Sequence, residues 1–423
     1  PSLGVIFVRV WVSRIKLMLL VDYEKGCSMQ TDIVVVGAGP AGLSLVRALS
    51  GSGLSVALVE RNDYSSIAQP AYDGREIALT HASQALMQQY GLWQHLPENE
   101  IYPLRDAKVV SGASDFTLHF PQPKPEAGLI AEQLGFLVSN HNIRQAAFNA
   151  AEPVENVAWL TGVNVEQVQV ADDEATVKLS DGRSLHTRLV VAADSRFSNT
   201  RRQLGISADS HDYGRTVLVF RTEHEISNQA TAFECFHYGR TLALLPLSSH
   251  MTNCVVTANH QTAKRLLALS PEALAQDMEQ QLQGRLGKMQ VTSSVHQYPL
   301  VGVHARHFQA KRGVLIGDAA VGMHPVTAHG FNLGLESACS LGELLQQAAA
   351  KQQDIAAKSL LQWYEMKHML RTRPLYHGTH AMVSLFTNDA PPAKLLRHAV
   401  LRVSNHLPPL KKAIAMQLTG KWA

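Results

Sequence analysis

The sequence predicts an α/β fold in three parts: a Rossmann-like nucleotide-binding domain, a second domain of mixed sheet, and a helical C-terminus. Three observations predict it. A glycine-rich turn, Gly37-Ala38-Gly39-Pro40-Ala41-Gly42, sits between an apolar β-branched run at 31–36 and a helical pattern at 40–49. Two later apolar runs, 190–193 and 313–317, also end in an acid, Asp194 and Asp318. Between them, residues 217–301 carry mostly strand pattern. At roughly 150 residues per domain, 423 residues predict two or three lobes.

The elements follow in order. The run 31–36, the helix 40–49 and a second run, 55–59, ending in Glu60 make a βαβ unit. Residues 76–92 read as helix, and 107–120 alternate as a strand pair before a loop marked by Pro121, Pro123 and Pro125. Residues 138–151 return to helix, and 157–191 hold four or five short strands with Asp181-Gly182 as a hairpin turn. The strands of 217–301 are interrupted by one polar helix at 271–284. A last apolar strand at 314–316 precedes a long helix at 330–350, and the remainder is largely helical. The expected organisation is a discontinuous nucleotide-binding domain of 29–100, 138–206 and 302–350, a substrate domain of 101–137 and 207–301, and a C-terminal helical region of 351–423. Residues 1–28 read as a leader outside the native protein, the alternative being a basic membrane-surface helix.

Composition excludes several classes. With 46% hydrophobic and 17% charged residues the chain is neither fibrous nor disordered, and no run of about 18 uncharged apolar residues marks a membrane span. Cys27, Cys235, Cys254 and Cys339 form no CxxC, so neither a disulfide framework nor a zinc site is expected, and a reducing cytosol fits. The net charge of +3 is unevenly spread. Residues 391–423 hold six basic residues and no acid, and 1–28 hold four basic residues against two acids, which leaves −5 for the body. A nucleic-acid-binding protein would show the reverse, so nucleic acid is excluded as a partner.

The chemistry sits at the ends of the apolar runs. Gly37, Gly39 and Gly42 permit a tight turn, close approach of a pyrophosphate and tight helix–strand packing. The helix start favours the anion. Glu60, 18 residues past Gly42, stands where a carboxylate accepts hydrogen bonds from an adenosine ribose and would repel a 2′-phosphate, so FAD or NAD is expected over NADP. Asp318 stands at a strand end, with Ala328-His329-Gly330-Phe331-Asn332 opening the long helix ten residues on. Two nucleotide-contacting segments so far apart suit an extended FAD. The competing reading makes Asp318 a helix cap. Asp194 alone would be a strand–turn boundary, and its weight comes from sharing the placement of Glu60 and Asp318.

With those motifs in place, nearly the whole chain, from about Met29 to Gly420, resembles the class A FAD-dependent aromatic monooxygenases, and within them the UbiH/VisC group of ubiquinone-biosynthesis hydroxylases, nearest its UbiM branch. The three FAD fingerprints fall on Gly37 to Gly42 with Glu60, on Ala193-Asp194-Ser195, and on Gly317-Asp318 with His324-Pro325. The resemblance makes Arg75 a flavin contact and places Gly330 and Asn332 at the helix start below the flavin; Val383-Ser384-Leu385-Phe386-Thr387-Asn388-Asp389 is also typical of the group. Two positions depart from the pattern. Ser195 replaces a glycine in a motif tied to both flavin and nicotinamide contact, and His329 replaces the glutamine of the usual Gly-Gln-Gly. His329 is either a group that titrates beside the ring or a satisfied structural residue.

The resemblance implies a p-hydroxybenzoate hydroxylase-like fold, FAD as cofactor, NAD(P)H or another reductant as electron donor, and O2 as co-substrate. It implies hydroxylation of the ring of a polyprenyl phenol or quinol through a flavin C4a-hydroperoxide. The alternatives are a hydroxylase of a small soluble aromatic and a non-catalytic FAD-binding partner protein. No catalytic base is identified, because no spacing rule selects among Tyr213, Arg215, His237 and Tyr298. Glu365/His368, Glu234/His237 and His377/His380 do not make a metal site by spacing, and none is expected. Between Lys394 and His406 apolar residues recur at helical spacing with basic flanks. That pattern reads either as a helix packed on the body or as one that meets a membrane surface or a ubiquinone-biosynthesis complex, which would place a cytoplasmic protein at the inner membrane.

Overall fold

Ile33, Val34, Val35 and Val36 are β-branched at every position and all buried, the pattern of a parallel strand covered on both faces. They end β1 (Ser28–Val36), which begins at the last residue of the expected leader. The structure, a computed structural model, describes residues 28–111, 117–120, 133–237, 239–323 and 329–387. β1 lies between β2 (Val56–Glu60) and β11 (Ser184–Ala192), and the sheet extends through β8 (Val157–Thr161) on one side and β19 (Gly313–Leu315) and β18 (Gln309–Ala310) on the other. Strands β19-β11-β1-β2-β8 are parallel. On the side away from β1, the first half of β11 pairs antiparallel with β10 (Ala175–Leu179), which forms a hairpin with β9 (Val165–Val170).

Helices cover this sheet. α1 (Pro40–Ala48) packs on α8 (His329–Ala350) through a small-residue contact: a Cβ on Gly342 would stand 2.6 Å from that of Ala48. α2 (Tyr64–Ala68) sets Tyr64 edge-on to Phe148 and Trp159, with ring centroids 5.5 and 5.7 Å away.

Two stretches expected to be wholly helical begin with strands. In 76–92, β3 (Glu76–Leu79) precedes α3 (His81–Gln89), because the Thr80 hydroxyl accepts the N–H of Ser83 and starts the helix there. In 138–151, β7 (Gly135–Ser139) precedes α4 (Asn140–Ala151), with Ser139 as the cap. The two strands pair with each other, and β7 pairs on its other side with β4 (Tyr102–Leu104), in a small antiparallel sheet that only tertiary pairing could define.

The second large sheet runs β20 (Val321–Gly322), β17 (His296–Ala305), β12 (Ala208–His224), β15 (Met251–Asn259), β14 (Arg240–Ser248), β13 (Thr231–His237), β5 (Asp106–Ser111), β6 (Thr117–Phe120), with β16 (Met289–Val291) beside β12. It thus continues past residue 301. One face carries Cys235, Leu242, Val256 and Leu218 in register and is covered by α6 (His260–Leu267) and α7 (Pro271–Gln281). Two helices therefore interrupt the strands where one was expected. Asn259 caps the extra one by accepting the N–H of Thr262.

The C-terminal helix α9 (Lys358–Thr387) ties the sheets together, and α5 (Asn199–Gln203) follows β11. Tyr364 Oη donates to the Leu315 carbonyl at 2.9 Å, and Tyr213 Oη lies 3.2 Å from His380 Nδ1. The expected helix at 394–406 lies outside the described residues. Among those residues no helix is long and apolar enough to cross a membrane.

His304, buried beneath α9, and His368, on the inward side of α9, are each pushed down to about 4 by burial. Both are depressed below the ordinary imidazole value, so their contribution to stability is complete above pH 6.5 and is lost as the pH falls towards 4. Urea denaturation from pH 7 to 4 is expected to show a loss on the order of 2–3 kcal/mol per imidazole, and His368→Leu should flatten that dependence.

Candidate cofactor and substrate site

The register aligns Val36 with both Val59 and Ala192, and Ala192 with Leu315. Four parallel strands therefore end level, and the chain leaves the sheet in opposite directions on the two sides of β1. That is the switch point at which open α/β sheets bind ligands. Gly37, Glu60, Asp194 and Asp318 all stand on this edge.

Gly37 has φ +110°, and a Cβ there would lie 2.5 Å from the Ala193 carbonyl oxygen. Gly42 lets α1 close on the turn, since its Cβ would fall 2.0 Å from the Gly37 oxygen. Gly39 differs: a Cβ there would meet nothing within 4 Å, and no side chain caps the helix start. Packing does not require a glycine at Gly39, but a pyrophosphate lying against the backbone N–H groups does. Gly330, at the start of α8, likewise has open space where its Cβ would be. The Glu60 carboxylate sits over the turn, accepting the N–H of Ala38 at 2.8 Å and that of Asn62 at 3.0 Å.

The acids at the other strand ends are held differently. Asp318 pairs with Arg196 at 3.1 Å, and Arg196 also donates to the Val301 carbonyl, so the ends of β11 and β19 are linked to the second sheet. Asp194 turns toward α5, where Oδ2 accepts from the N–H and hydroxyl of Thr200, leaving Oδ1 buried without a partner. Ser195 is exposed, and its Oγ accepts the N–H of Phe197. Asn332 holds the start of α8 to β3, donating to the Ala78 carbonyl and accepting the N–H of Thr80. His329 is buried and lines a groove with Thr80 and Leu333. His324 and Pro325 lie outside the described residues.

Arg75 stands across from this edge. It pairs with Asp73 at 2.6 Å, and its guanidinium carbon lies 5.3 Å from the Tyr298 ring centroid. The second sheet grips this segment from its open face. Asn253 Nδ2 donates to the Gly74 carbonyl at 3.0 Å, Tyr298 Oη to the Asp73 carbonyl, and Arg221 Nη2 to Glu76 at 2.7 Å. Gly74, with φ +75°, has His296 packed where a Cβ would be. Around it Tyr72 Oη, Glu76 Oε2, Asn253 Oδ1 and His141 Nδ1 are buried without a protein partner. Such a wall completes its hydrogen bonds with a bound group. The room at Gly39 and Gly330, the carboxylates and this wall together fit FAD.

Three groups here, Glu76, Tyr72 and Glu234, are not among the site residues the sequence suggested, Glu234 having entered only as half of a rejected metal pair. Burial, outweighing the Arg221 ion pair, pushes the Glu76 carboxyl up to about 7. Burial also pushes Tyr72 up to about 12 and Glu234 up to about 8. Glu234 stands in register with Val109, Ala243, Val255, Val219 and His296, on the face that meets residues 72–76. The alternation in Ala-Phe-Glu-Cys-Phe, with Cys235 on the helix-covered face, was the available signal. Of the four candidate bases, Tyr298 is in this wall, Tyr213 contacts α9, Arg215 donates to the Gly239 carbonyl, and the His237 side chain lies outside the described residues.

Residues 30–376 match the FAD binding domain family. The chain is 58% identical over 393 residues to the ubiquinone hydroxylase UbiM of Neisseria meningitidis, covering 93% of this chain and 85% of that protein. It is 32% identical over 389 residues to the ubiquinone hydroxylase UbiL of Rhodospirillum rubrum, covering 92% and 89%. The crystal structure of p-nitrophenol 4-monooxygenase PnpA from Pseudomonas putida, 17% identical, superposes with a TM-score of 0.71 over 94% of this chain and all of that one, a likeness of fold. The fold and site define an FAD-binding flavoprotein with the p-hydroxybenzoate hydroxylase-like architecture. The chain belongs to the FAD-binding family of class A monooxygenases, as UbiM and UbiL do.

The Glu76–Arg221 pair yields a signed prediction. The Glu76 side chain is fully buried, and its folded value lies above the unfolded one, so the cost of burial is absent below about pH 4.5 and grows as the pH rises through 7. Arg221→Met should destabilise the protein by about 3–5 kcal/mol at pH 8, where a charge is left unpaired. The loss should be clearly smaller at pH 5; equal losses in denaturation at the two pH values would contradict this assignment.

Proposed function

We propose that this chain is an FAD-dependent monooxygenase that hydroxylates the aromatic ring of a polyprenyl phenol or quinol in ubiquinone biosynthesis. The observation that carries the reading is 58% identity with UbiM over 93% of the chain, joined to an edge whose carboxylates and open glycine positions suit FAD. FAD, once reduced by NAD(P)H or another donor, supplies the activation of O2 that a protein side chain cannot.

The chain's own residues bind, orient and shield. Gly37, Gly39 and Gly42 with the start of α1 take the pyrophosphate, and Glu60 accepts from the adenosine ribose. Asp318, Asp194 and Arg75, with Gly330 and Asn332 at the start of α8, position the flavin end. The open face of the second sheet, rich in Val219, Val255, Ala243 and Val217, covers the ring of the substrate and keeps water out. Glu234, with its carboxyl raised to about 8, is a group of that face able to hold or release a proton near neutral pH. A substrate with a polyprenyl chain stays in a bilayer, so the protein works at the inner-membrane surface, alone or in a ubiquinone-biosynthesis complex.

Quinone mass spectrometry of a strain lacking the protein tests this reading: ubiquinone should fall and an under-hydroxylated polyprenyl phenol accumulate. Unchanged quinones would overturn it and favour a small soluble aromatic substrate. Glu60→Ala should lower FAD affinity by roughly tenfold, about 1.4 kcal/mol for one charge-assisted hydrogen bond, read from flavin absorbance after dialysis. Glu234→Gln should retain FAD and remove an ionisation near pH 8 from the kcat/KM profile of the holoenzyme.

A further inference from the structure

Six large apolar side chains are exposed among the described residues, and three of them, Trp363 (55%), Met366 (45%) and Leu370 (72%), belong to α9. At about 100° per residue they fall within about 60° of one another around the helix axis. The opposite arc, with Leu361, Tyr364, His368, Thr372, Tyr376 and Val383, is buried against both sheets. The apolar pole therefore points directly away from the body. Lys367 flanks it on one side and Arg373 on the other. Over its whole length α9 carries Lys358, Lys367, Arg373 and Arg371, the last paired with Glu336 at 2.6 Å, against one acid of its own, Glu365. That acid is turned inward to accept the N–H groups of Phe308 and Gln309.

We propose that the outer face of α9, centred on Trp363, Met366 and Leu370, docks on an anionic lipid surface. A tryptophan and two flexible apolar side chains between cations are the composition of a helix that lies in the headgroup layer. The cations supply the attraction to acidic lipid that three apolar side chains would lack. Three apolar side chains fall far short of the roughly 20 residues a side that a stable contact between two copies takes. Because α9 is bonded to the first sheet at Leu315 and packed on the second beside Tyr213, docking by this face fixes the orientation of the whole body. A groove of ≈ 400 Å3 lies at the same flank. Lys367, Arg371 and Leu375 line it together with Thr80, His329 and Leu333, beside the helix start assigned above to the flavin.

This inference rests on the lipophilic substrate proposed above, but its test does not need turnover. The full-length, FAD-loaded protein is sedimented with vesicles of phosphatidylglycerol and phosphatidylethanolamine, and with phosphatidylcholine vesicles as the uncharged arm. Binding to the acidic vesicles that weakens about tenfold or more in 0.5 M salt is expected, as is a further tenfold loss in the W363S/M366S/L370S variant at low salt. Brominated lipid should quench part of the tryptophan emission of the wild type and lose that component in Trp363→Phe, which keeps an apolar side chain. The proposal is overturned if the triple variant binds like the wild type while deletion of 391–423 abolishes binding. It is equally overturned if the wild type ignores acidic vesicles, or if it sediments as a dimer that the triple variant dissolves. Flavin content and oxygen consumption with a short-chain quinol, measured without lipid, should be unchanged in the triple variant, which separates failure of docking from failure of the hydroxylase reading.

Discussion

The structure depends on how closely the backbone can approach itself at the carboxyl edge of the parallel sheet. Between Gly37 and the Ala193 carbonyl, and between Gly42 and the Gly37 oxygen, there is no room for a methyl group. Those two contacts bring the exits of β1 and β11 together and seat α1 on the turn. Once α1 is seated, Ala48 receives Gly342 and α8 is brought alongside it, although about 300 residues separate them in sequence. The start of α8 then tethers β3 through Asn332. One local steric requirement thus propagates through small-residue contacts until three remote segments share an edge.

The second dependence is the grip of the mixed sheet on residues 73–76. Three of its strands reach across: Tyr298 from β17, Asn253 from β15 and Arg221 from β12. Two of these contacts are to backbone carbonyls, which fixes the position of Arg75 without constraining its side chain. The third buries a carboxylate against a guanidinium, an arrangement whose desolvation cost offsets most of its attraction. It is better understood as specifying how the two sheets meet than as a source of stability. Polar atoms left without protein partners in that junction are where a ligand's own polar groups would be accommodated.

What was legible in the sequence was short-range. The glycine turn, Glu60 and Asp318 each lie at the boundary of an apolar run, and the run, the turn and the charge are all visible within a few residues. The same short range explains the misreadings. Residues 76–92 open on a four-residue strand and 138–151 on the last two residues of a five-residue one, and strands that short have too few residues for a period to stand out. Their existence depends on pairing Glu76 with Ser139, 63 positions away. Asp194 ends its strand as Glu60 and Asp318 end theirs, but that its Oδ2 accepts from Thr200 while Oδ1 stays without a protein partner is nowhere marked in the local pattern.

By itself the sequence determined the fold class, the nucleotide-binding turn and the strand-end acids, because backbone sterics and hydrophobic periodicity act between near neighbours. Only the tertiary structure decided which of these groups meet. Glu76 finds Arg221 across 145 residues, Glu234 shares a face with His296 through three intervening strands, and Trp363, Met366 and Leu370 face outward because the opposite side of α9 is occupied. Charge pairing, burial and the raised carboxyl values that follow are properties of surroundings, and those surroundings are assembled from segments that carry no local mark of one another.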